Sequence, residues 1–392
     1  MDRTPKNLYI FDFVIRQKYI YMIEFQNKNR IFGLDVMRAT AIIMVLFGHC
    51  VWIYPEGNTM FHQLMVLSGF MGVETFFVLS GFLIGKICYQ IYLKEDFKIK
   101  SVVTFLKRRW FRTLPNYYLI LFLNIGIAAY IGYSPGIVWH YFLFLQNSCS
   151  TMSPFFPESW SLSVEEYAYL ILPFLLVMIG GVASKKRKNQ YFLYVVLFLI
   201  CLFIGTKIGY NFNSPINTLA AWNVSLKAVV LFRLDSIFIG VLCSWLYYNY
   251  TNKWNHFKLY FALLGVFILI FQFVAIGFFK LYIETNPMLW NVFYLPIVSI
   301  AVACFLPLMS DWNQRPSKFY KPIVYISVLS YSLYLIHYSI VLQLMKYFIK
   351  YDMQNGISVF GIVIGYVCIS FFLSYLLYRY YEKPMMDLRD KS

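Results

Sequence analysis

The chain has 392 residues, of which 60% are hydrophobic and only 13% are charged, and its mean hydropathy is +0.60. A soluble domain carries about 25% charged residues. The composition therefore excludes a soluble enzyme and predicts an all-α, polytopic membrane protein. The formal net charge is +16. We attribute this excess to the basic loops of a membrane protein and expect no nucleic-acid partner.

Ten apolar segments have the length of about 20 residues that a helix needs to cross a bilayer. They are predicted at residues 36–54, 66–91, 114–133, 161–182, 191–209, 227–249, 257–279, 288–310, 323–346 and 357–380. A shorter apolar segment, 137–147, is predicted to be re-entrant or interfacial. We expect an N-terminal extension over 1–29, a transmembrane domain over 30–388 and a short tail over 389–392.

Lysine and arginine are distributed unevenly between the loops. They are frequent near the N-terminus and in the segments 94–112, 185–188 and 311–322, whereas the 55–65 and 134–160 loops contain neither residue. Because basic loops stay on the cytoplasmic side of a membrane, we expect both termini to be cytoplasmic.

The first predicted span carries Arg38 at its start and His49 near its middle. Eleven residues of helix rotate by about 1100° and rise by about 16 Å, so the two side chains lie on one face at different depths. Asp35 precedes Arg38 by one turn on that face. Polar side chains inside a span are costly, which makes these three residues candidates for a functional site. A cation at the mouth and a deeper imidazole suit a site that receives an anionic donor from one side.

The sequence FLKRRWFRTLP places three arginines just before a predicted span. Arg109 and Arg112 share a helix face, as do Arg108 and Arg112, and Pro115 marks a break or a new helix start. Because guanidinium groups pair with phosphate through two hydrogen bonds, these arginines are candidates to bind a phosphorylated cofactor. The general excess of basic residues on the cytoplasmic side of membrane proteins, or contact with anionic lipid, explains these arginines as well.

Further polar residues occur within the later spans and are candidates for lining a polar lumen. They are Glu74, Glu165, Glu166, Arg233, Asp235, Ser330, Tyr331, Tyr334 and His337. We expect Glu165 and Glu166 near the outer surface, above the level of His49. Arg233 and Asp235 are expected to form an ion pair with each other, in either a catalytic or a structural role.

Ser330, Tyr334 and His337 fall on one helix face, although a lone histidine on an apolar face is more often structural than catalytic. Glu382 is interpreted as an anchor at the membrane boundary. The seven cysteines are scattered and form no CxxC pair or metal-like cluster. We interpret them as small apolar side chains and expect no metal cofactor.

Taken in order, these motifs resemble the acyltransferase 3 family of membrane-bound O-acyltransferases. The motifs are Arg38 followed by His49 after ten residues, then GVETFFVLSGFLI, RRWFRTLP, WSLSVEEY, FRLDSIFIG, SYSLYLIH and YEKP. The resemblance implies a ten-helix protein of a bacterial inner membrane, in contact with lipid. It also implies transfer of an acyl group, commonly acetyl, from cytoplasmic acyl-CoA to a hydroxyl of a cell-envelope saccharide or glycolipid.

The chain departs from the family pattern at two places. Many relatives have Asp at the position of Glu74, and Gln-Phe at the positions of Tyr167 and Ala168, which puts in doubt a shared role for the residue after Glu166. Some relatives carry an extra extracytoplasmic hydrolase-like domain, which we do not expect here. Transfer would then be completed within the helical bundle or by a separate partner.

The residues and the resemblance together suggest a mechanism. Acyl-CoA phosphates bind Arg109 and Arg112, and neutral His49 takes the proton of the acceptor hydroxyl, which attacks the thioester. Asp35 and Arg38 orient this helix face or the donor. An acyl-His49 intermediate is an open variant.

Two other functions remain open at this stage. A transporter also uses a polar lumen with histidine and carboxylate side chains, although no paired broken helices are visible in matching halves. A different donor, such as a succinyl or longer acyl-CoA, or an amine acceptor, would keep the enzyme and change its chemistry. A scaffold role is disfavoured, because a purely structural protein has no need of polar side chains that are costly to place within the bilayer.

Overall fold

The computed structural model gives the structure of most of the chain. It describes residues 30–54, 59–180, 187–213, 218–313, 318–352 and 355–389. The expected extension at 1–29 and the end of the tail, 390–392, lie outside the described residues.

The described residues form helices joined by loops and contain no strand. The α-helices are α1 Phe32–His49, α2 Met60–Tyr92, α3 Ile99–Ile131, α4 Trp139–Phe142, α5 Ser159–Gly180, α6 Lys188–Asn213, α7 Leu219–Ser225, α8 Leu234–Asn249, α9 Thr251–His256, α10 Lys258–Phe278, α11 Leu295–Ala303, α12 Leu306–Asp311, α13 Tyr320–Ile336, α14 Gln343–Phe348, α15 Gly356–Leu377 and α16 Lys383–Arg389. Short 3-10 helices cover Cys50–Trp52 and Val230–Phe232.

Within the described residues, nine helical stretches are long and apolar enough to cross a membrane. They are Phe32–Trp52, Met60–Tyr92, Ile99–Ile131, Ser159–Gly180, Lys188–Asn213, Lys258–Phe278, Leu289–Asp311, Tyr320–Phe348 and Gly356–Leu388. The prediction of an all-α polytopic membrane protein is therefore confirmed. The segment predicted at 227–249 forms α8, whose 16 residues are fewer than a span needs and which is buried against α2, α5, α6 and α11.

One predicted boundary changes. The segment 94–112, expected as a loop, is helical from Ile99 onward, because α3 runs without interruption for 33 residues through Pro115. The short apolar segment 137–147 contains only the four-residue helix α4 followed by turns, so it does not span.

Helices α1 and α2 pack against each other most closely beside His49. A Cβ atom at Gly48 would collide with the backbone of Gly69, and one at Gly72 would lie 2.6 Å from the carbonyl oxygen of Ala41. Small residues let the two backbones touch, which is a common device in membrane helix packing. This seam fixes the depth of His49 relative to α2.

Three π-helical turns occur in the described part of the chain, at Leu289–Tyr294, His337–Leu342 and Tyr378–Glu382. Such turns are rare and are frequently found at functional sites. The second turn begins at His337 and the third ends at Glu382. Both side chains belong to the polar site described next.

Candidate active site

His49 and His337 form a hydrogen-bonded pair. His49 ends α1 and His337 starts the π turn after α13, and their rings pack edge to face with centroids 4.7 Å apart. Nε2 of His337 lies 3.2 Å from Nδ1 of His49. His337 is fully buried, whereas His49 is partly exposed. Of the pair, His49 is therefore the ring that a substrate can reach.

The hydrogen bonds around the pair determine where the protons lie. Nδ1 of His337 is 2.8 Å from the carbonyl oxygen of Tyr334, which only accepts, so this nitrogen carries the proton. Nε2 of neutral His337 is then an acceptor. Nδ1 of His49 therefore donates, to His337 and to the carbonyl oxygen of Val45 at 2.9 Å. Nε2 of His49 has no hydrogen-bond partner among the described residues, so it keeps a free lone pair, which is the form that a general base needs.

Four arginines form a cationic cluster, here called the basic mouth, which consists of Arg30, Arg38, Arg109 and Arg112. Arg38 lies within electrostatic range of the other three. Its Nη1 is 3.4 Å from Oδ1 of Asp35, which Arg30 also binds at 2.5 Å. The cluster thus carries four positive charges, of which Asp35 contacts two, while Glu165 and Glu382 lie within electrostatic range of Arg112. Guanidinium groups gathered in this way suit a phosphorylated ligand.

Two residues that were expected in the site, Arg108 and Ser330, are not brought into this cluster. Arg112 and Arg108 are both exposed, but only Arg112 contributes to the electrostatic neighbourhood of Arg38. The role of Arg108 stays a prediction. Ser330, expected to share a face with His337, donates instead to the carbonyl oxygen of Ser327 at 2.9 Å, and Ser327 in turn donates to Asp35 at 2.7 Å.

The expected depth of Glu165 and Glu166 is wrong. Glu166 accepts from Trp110 Nε1 and from Thr113 Oγ1, both at 3.1 Å, so it lies beside the arginines of α3. Ser161, more than a turn closer to the start of α5, instead contacts the hydroxyl of Tyr334 at 2.5 Å. The two glutamates therefore lie between the histidine pair and the basic mouth.

Glu165, Glu166 and Glu382 form a layer of carboxyl groups between the histidine pair and the basic mouth, here called the middle layer. Glu165 accepts from the hydroxyl of Tyr169 at 2.8 Å, and the ring of Tyr169 stacks on Arg109 with its centroid 5.6 Å from Cζ. Glu382, expected as a boundary anchor, is buried and accepts from Asn116 at 2.9 Å. Tyr331 donates to the carbonyl oxygen of Thr113 at 2.7 Å and so ties α13 to α3.

The expected ion pair between Arg233 and Asp235 is wrong. Arg233 pairs with Glu74, and Asp235 pairs with Lys207 at 2.6 Å, and all four side chains are buried. Residues two apart point about 200° away from each other on a helix, and Arg233 precedes the first turn of α8. Ser299 donates to Glu74 at 2.8 Å. These residues form a separate network that ties α2, α6, α8 and α11 together.

The sequence analysis did not single out Lys207, Glu158 or Lys227 as candidates. Lys207 could have been found, because it is a single charge inside a predicted span. Glu158 lies in a predicted loop and Lys227 is the first residue of the span predicted at 227–249, and a charged residue is unremarkable at either kind of position. Lys227 is partly exposed, is held by Asn223 at 3.0 Å, and places its charge within electrostatic range of His49.

A model of the acyltransferase 3 family, described as an acyltransferase domain, matches residues 31–379. The chain belongs to the acyltransferase 3 family. It is 27% identical over 372 residues to a Staphylococcus aureus (strain COL) protein named "Putative O-acetyltransferase", covering 90% of this chain and 56% of the relative. It is 24% identical over 378 residues to O-acetyltransferase OatA of Staphylococcus aureus (strain NCTC 8325 / PS 47), covering 90% of this chain and 57% of OatA.

This acyltransferase 3 chain thus spans a little over half the length of these curated relatives. No solved structure matches it. Among the described residues, no group of three or more His, Cys, Asp or Glu side chains is placed to hold a metal ion. In this family member the polar side chains come together as the histidine pair, the middle layer and the basic mouth.

Proposed function

We propose that the chain is an integral membrane O-acyltransferase that moves an acyl group, commonly acetyl, from acyl-CoA to a hydroxyl of a saccharide or lipid-linked saccharide. The observation that carries the proposal is the histidine pair, whose hydrogen bonds leave Nε2 of His49 as a free base. Membership of the family and the names of the relatives support the same chemistry.

The donor enters at the basic mouth in this proposal. The phosphates of CoA bind Arg109 and Arg112, and the pantetheine arm extends past the middle layer. Arg38 and His49 are about 16 Å apart along α1, a distance that such an arm spans when extended. Asp35 holds Arg30 and Arg38 in place and limits repulsion within the cluster.

The transfer step then proceeds at His49. Its Nε2 removes the proton of the acceptor hydroxyl, and the oxygen attacks the thioester carbonyl carbon. The tetrahedral intermediate breaks its carbon–sulfur bond, the acyl ester forms, and the proton passes from His49 to the CoA sulfur. His337 accepts the Nδ1 hydrogen of His49 throughout and so stabilises the transient imidazolium. Lys227, whose charge lies within electrostatic range of His49, is in a position to offset negative charge on the carbonyl oxygen.

The proposal also fixes an orientation. Because acyl-CoA is cytoplasmic, the basic mouth faces the cytoplasm of a bacterial inner membrane. Both termini lie on that side when α8, together with the 3-10 helix before it, adds a tenth crossing to the nine long spans of the described residues. The absence of Lys and Arg from the 55–65 and 134–160 segments supports this orientation. The acceptor then reaches His49 from the opposite side.

Inside-out membrane vesicles carrying endogenous glycans test the function. We would add acetyl-CoA labelled on the acetyl group and measure free CoA and label in extracted glycans, for the wild type and for His49→Ala. The proposal predicts that both signals appear with the wild type and are lost with the variant. No CoA release from folded protein with acetyl-CoA or with a panel of longer acyl-CoAs would overturn it and favour a transporter.

A further inference from the structure

A carboxylate next to the histidine pair has an oxygen without a partner. Glu158 is 5% exposed and directly precedes α5. Its Oε1 accepts from the backbone N–H of Ser339 at 3.0 Å and from Oγ of Ser339 at 2.5 Å. Its Oε2 is buried and meets no hydrogen-bond donor in the described part of the chain. Leaving such an atom unsatisfied costs about 1–3 kcal/mol, so it is expected to serve a ligand.

Glu158 and His49 border the same turn of the chain. Ser339, which Glu158 holds, is two residues after His337 in the π turn. Tyr338, between them, packs its ring 4.9 Å from the ring of His49. Tyr331 lies beside the arginines of α3, His337 follows it along the chain, and Ser339 comes two residues after His337. Glu158, which binds Ser339, therefore lies on the side of His49 opposite to the basic mouth.

A second unpartnered polar atom lies in the same place. Tyr366 of α15 is fully buried, and its hydroxyl has no hydrogen-bond partner among the described residues. Its hydroxyl is within electrostatic range of both Glu158 and Cys50, and Cys50 directly follows His49. The start of α5, α15 and the π turn therefore bring two unsatisfied polar atoms within electrostatic range of each other, and one of them is also within range of Cys50, the residue that follows the proposed base.

The chemistry of these two atoms fits a saccharide. An ionised carboxylate oxygen only accepts hydrogen bonds, whereas a tyrosine hydroxyl both donates and accepts. A sugar offers adjacent hydroxyls that can satisfy both atoms at once. A CoA phosphate would instead be repelled by the carboxylate.

We propose that Glu158 and Tyr366 form the acceptor subsite, in which Oε2 of Glu158 accepts a hydrogen bond from a saccharide hydroxyl adjacent to the one that His49 deprotonates. This inference rests on the proposed function and names where its second substrate binds. It assigns Glu158 to binding the acceptor and gives it no proton to transfer.

Glu158→Gln tests the subsite with little change in shape. The amide oxygen of glutamine can still accept from Ser339, but its other atom becomes an NH2 donor in place of the free acceptor. The readout is the ratio of label in glycan to label in free acetate, measured in the same vesicles with labelled acetyl-CoA. Glu284→Gln, at an exposed loop position, is the matched control.

We expect the ratio to fall at least tenfold in Glu158→Gln, with unchanged affinity for acetyl-CoA and partial recovery when extracted lipid-linked glycans are added. Tyr366→Phe, which removes a single oxygen, should lower the ratio in the same direction. An unchanged ratio in both folded variants would overturn the subsite. So would a parallel loss of acetyl-CoA affinity and glycan label, which indicates a purely structural role. A wild type that labels no glycan and releases no CoA would instead overturn the proposed function itself.

Discussion

Replacing His337 by phenylalanine isolates the contribution of the second histidine. Phenylalanine keeps the volume of a buried ring but removes the acceptor that lies 3.2 Å from Nδ1 of His49. The tautomer of His49 survives, because the carbonyl oxygen of Val45 still accepts at 2.9 Å. What is lost is one hydrogen bond to a group that becomes charged in the transition state, worth about 1.5–3 kcal/mol.

This loss corresponds to a decrease in kcat of about 10- to 150-fold, since each 1.36 kcal/mol changes a rate tenfold. Removing the base itself should cost more, because general bases contribute about 100- to 10,000-fold. The assay is single-turnover transfer from labelled acetyl-CoA in vesicles, with thermal unfolding in detergent as the control for folding. A His337→Phe enzyme as active as the wild type, or one as inactive as His49→Ala, would refute this division of roles.

Three further predictions concern the donor site, the acceptor subsite and the buried ion pairs. Arg112→Gln should raise the KM for acetyl-CoA about tenfold through loss of a charged hydrogen bond, and Arg108→Gln should raise it less. Burial raises the pKa of Glu158 to about 7, so the ratio of glycan label to free acetate should increase from about pH 6 to about pH 8, as its carboxyl ionises and becomes the stronger acceptor. Lys207→Met leaves a buried charge unpaired and should cost about 3–5 kcal/mol of stability, whereas Lys258→Met, in a partly exposed pair, should cost at most about 1 kcal/mol.

Each of these predictions has its own check. The KM of Arg112→Gln for S-acetylpantetheine, which lacks the nucleotide phosphates, should stay at the wild-type value, and an equal rise for both donors would argue against phosphate binding. The pH dependence of the ratio should flatten in Glu158→Gln, because the carboxyl that titrates is gone. Titratable side chains within electrostatic range of this carboxyl are those of Tyr133, Tyr334, Tyr338 and Tyr366. Equal unfolding midpoints for Lys207→Met and Lys258→Met would contradict the buried-pair argument.

Local sequence geometry predicted the part of the site that depends on one helix. Asp35 and Arg38 do interact across one turn of α1, because residues three apart share a helix face. The same rule, applied to Arg233 and Asp235, argues against their pairing, since residues two apart do not face each other. Their true partners, Glu74 and Lys207, come from other helices.

Depth in the membrane could not be predicted from the order of motifs. The expected boundary at residue 114 put the RRWFR arginines in a loop, but α3 begins at Ile99, so Arg112 lies about 20 Å along that helix. Glu166 then meets α3 at Thr113. Likewise, contact between His49 and His337 depends on how α1 packs against α13 over a separation of 288 residues, and one sequence gives no measure of such packing.

The most direct test of the central claim compares the wild type with His49→Gln in a single turnover of labelled acetyl-CoA, with donor binding measured separately on the same membranes. If Nε2 of His49 is the base, the variant should bind acetyl-CoA with the wild-type Kd and transfer acetyl to glycan at least about 100-fold more slowly. Transfer at the wild-type rate by folded His49→Gln would contradict the account, because the other imidazole of the described site, His337, is fully buried and out of reach of a substrate.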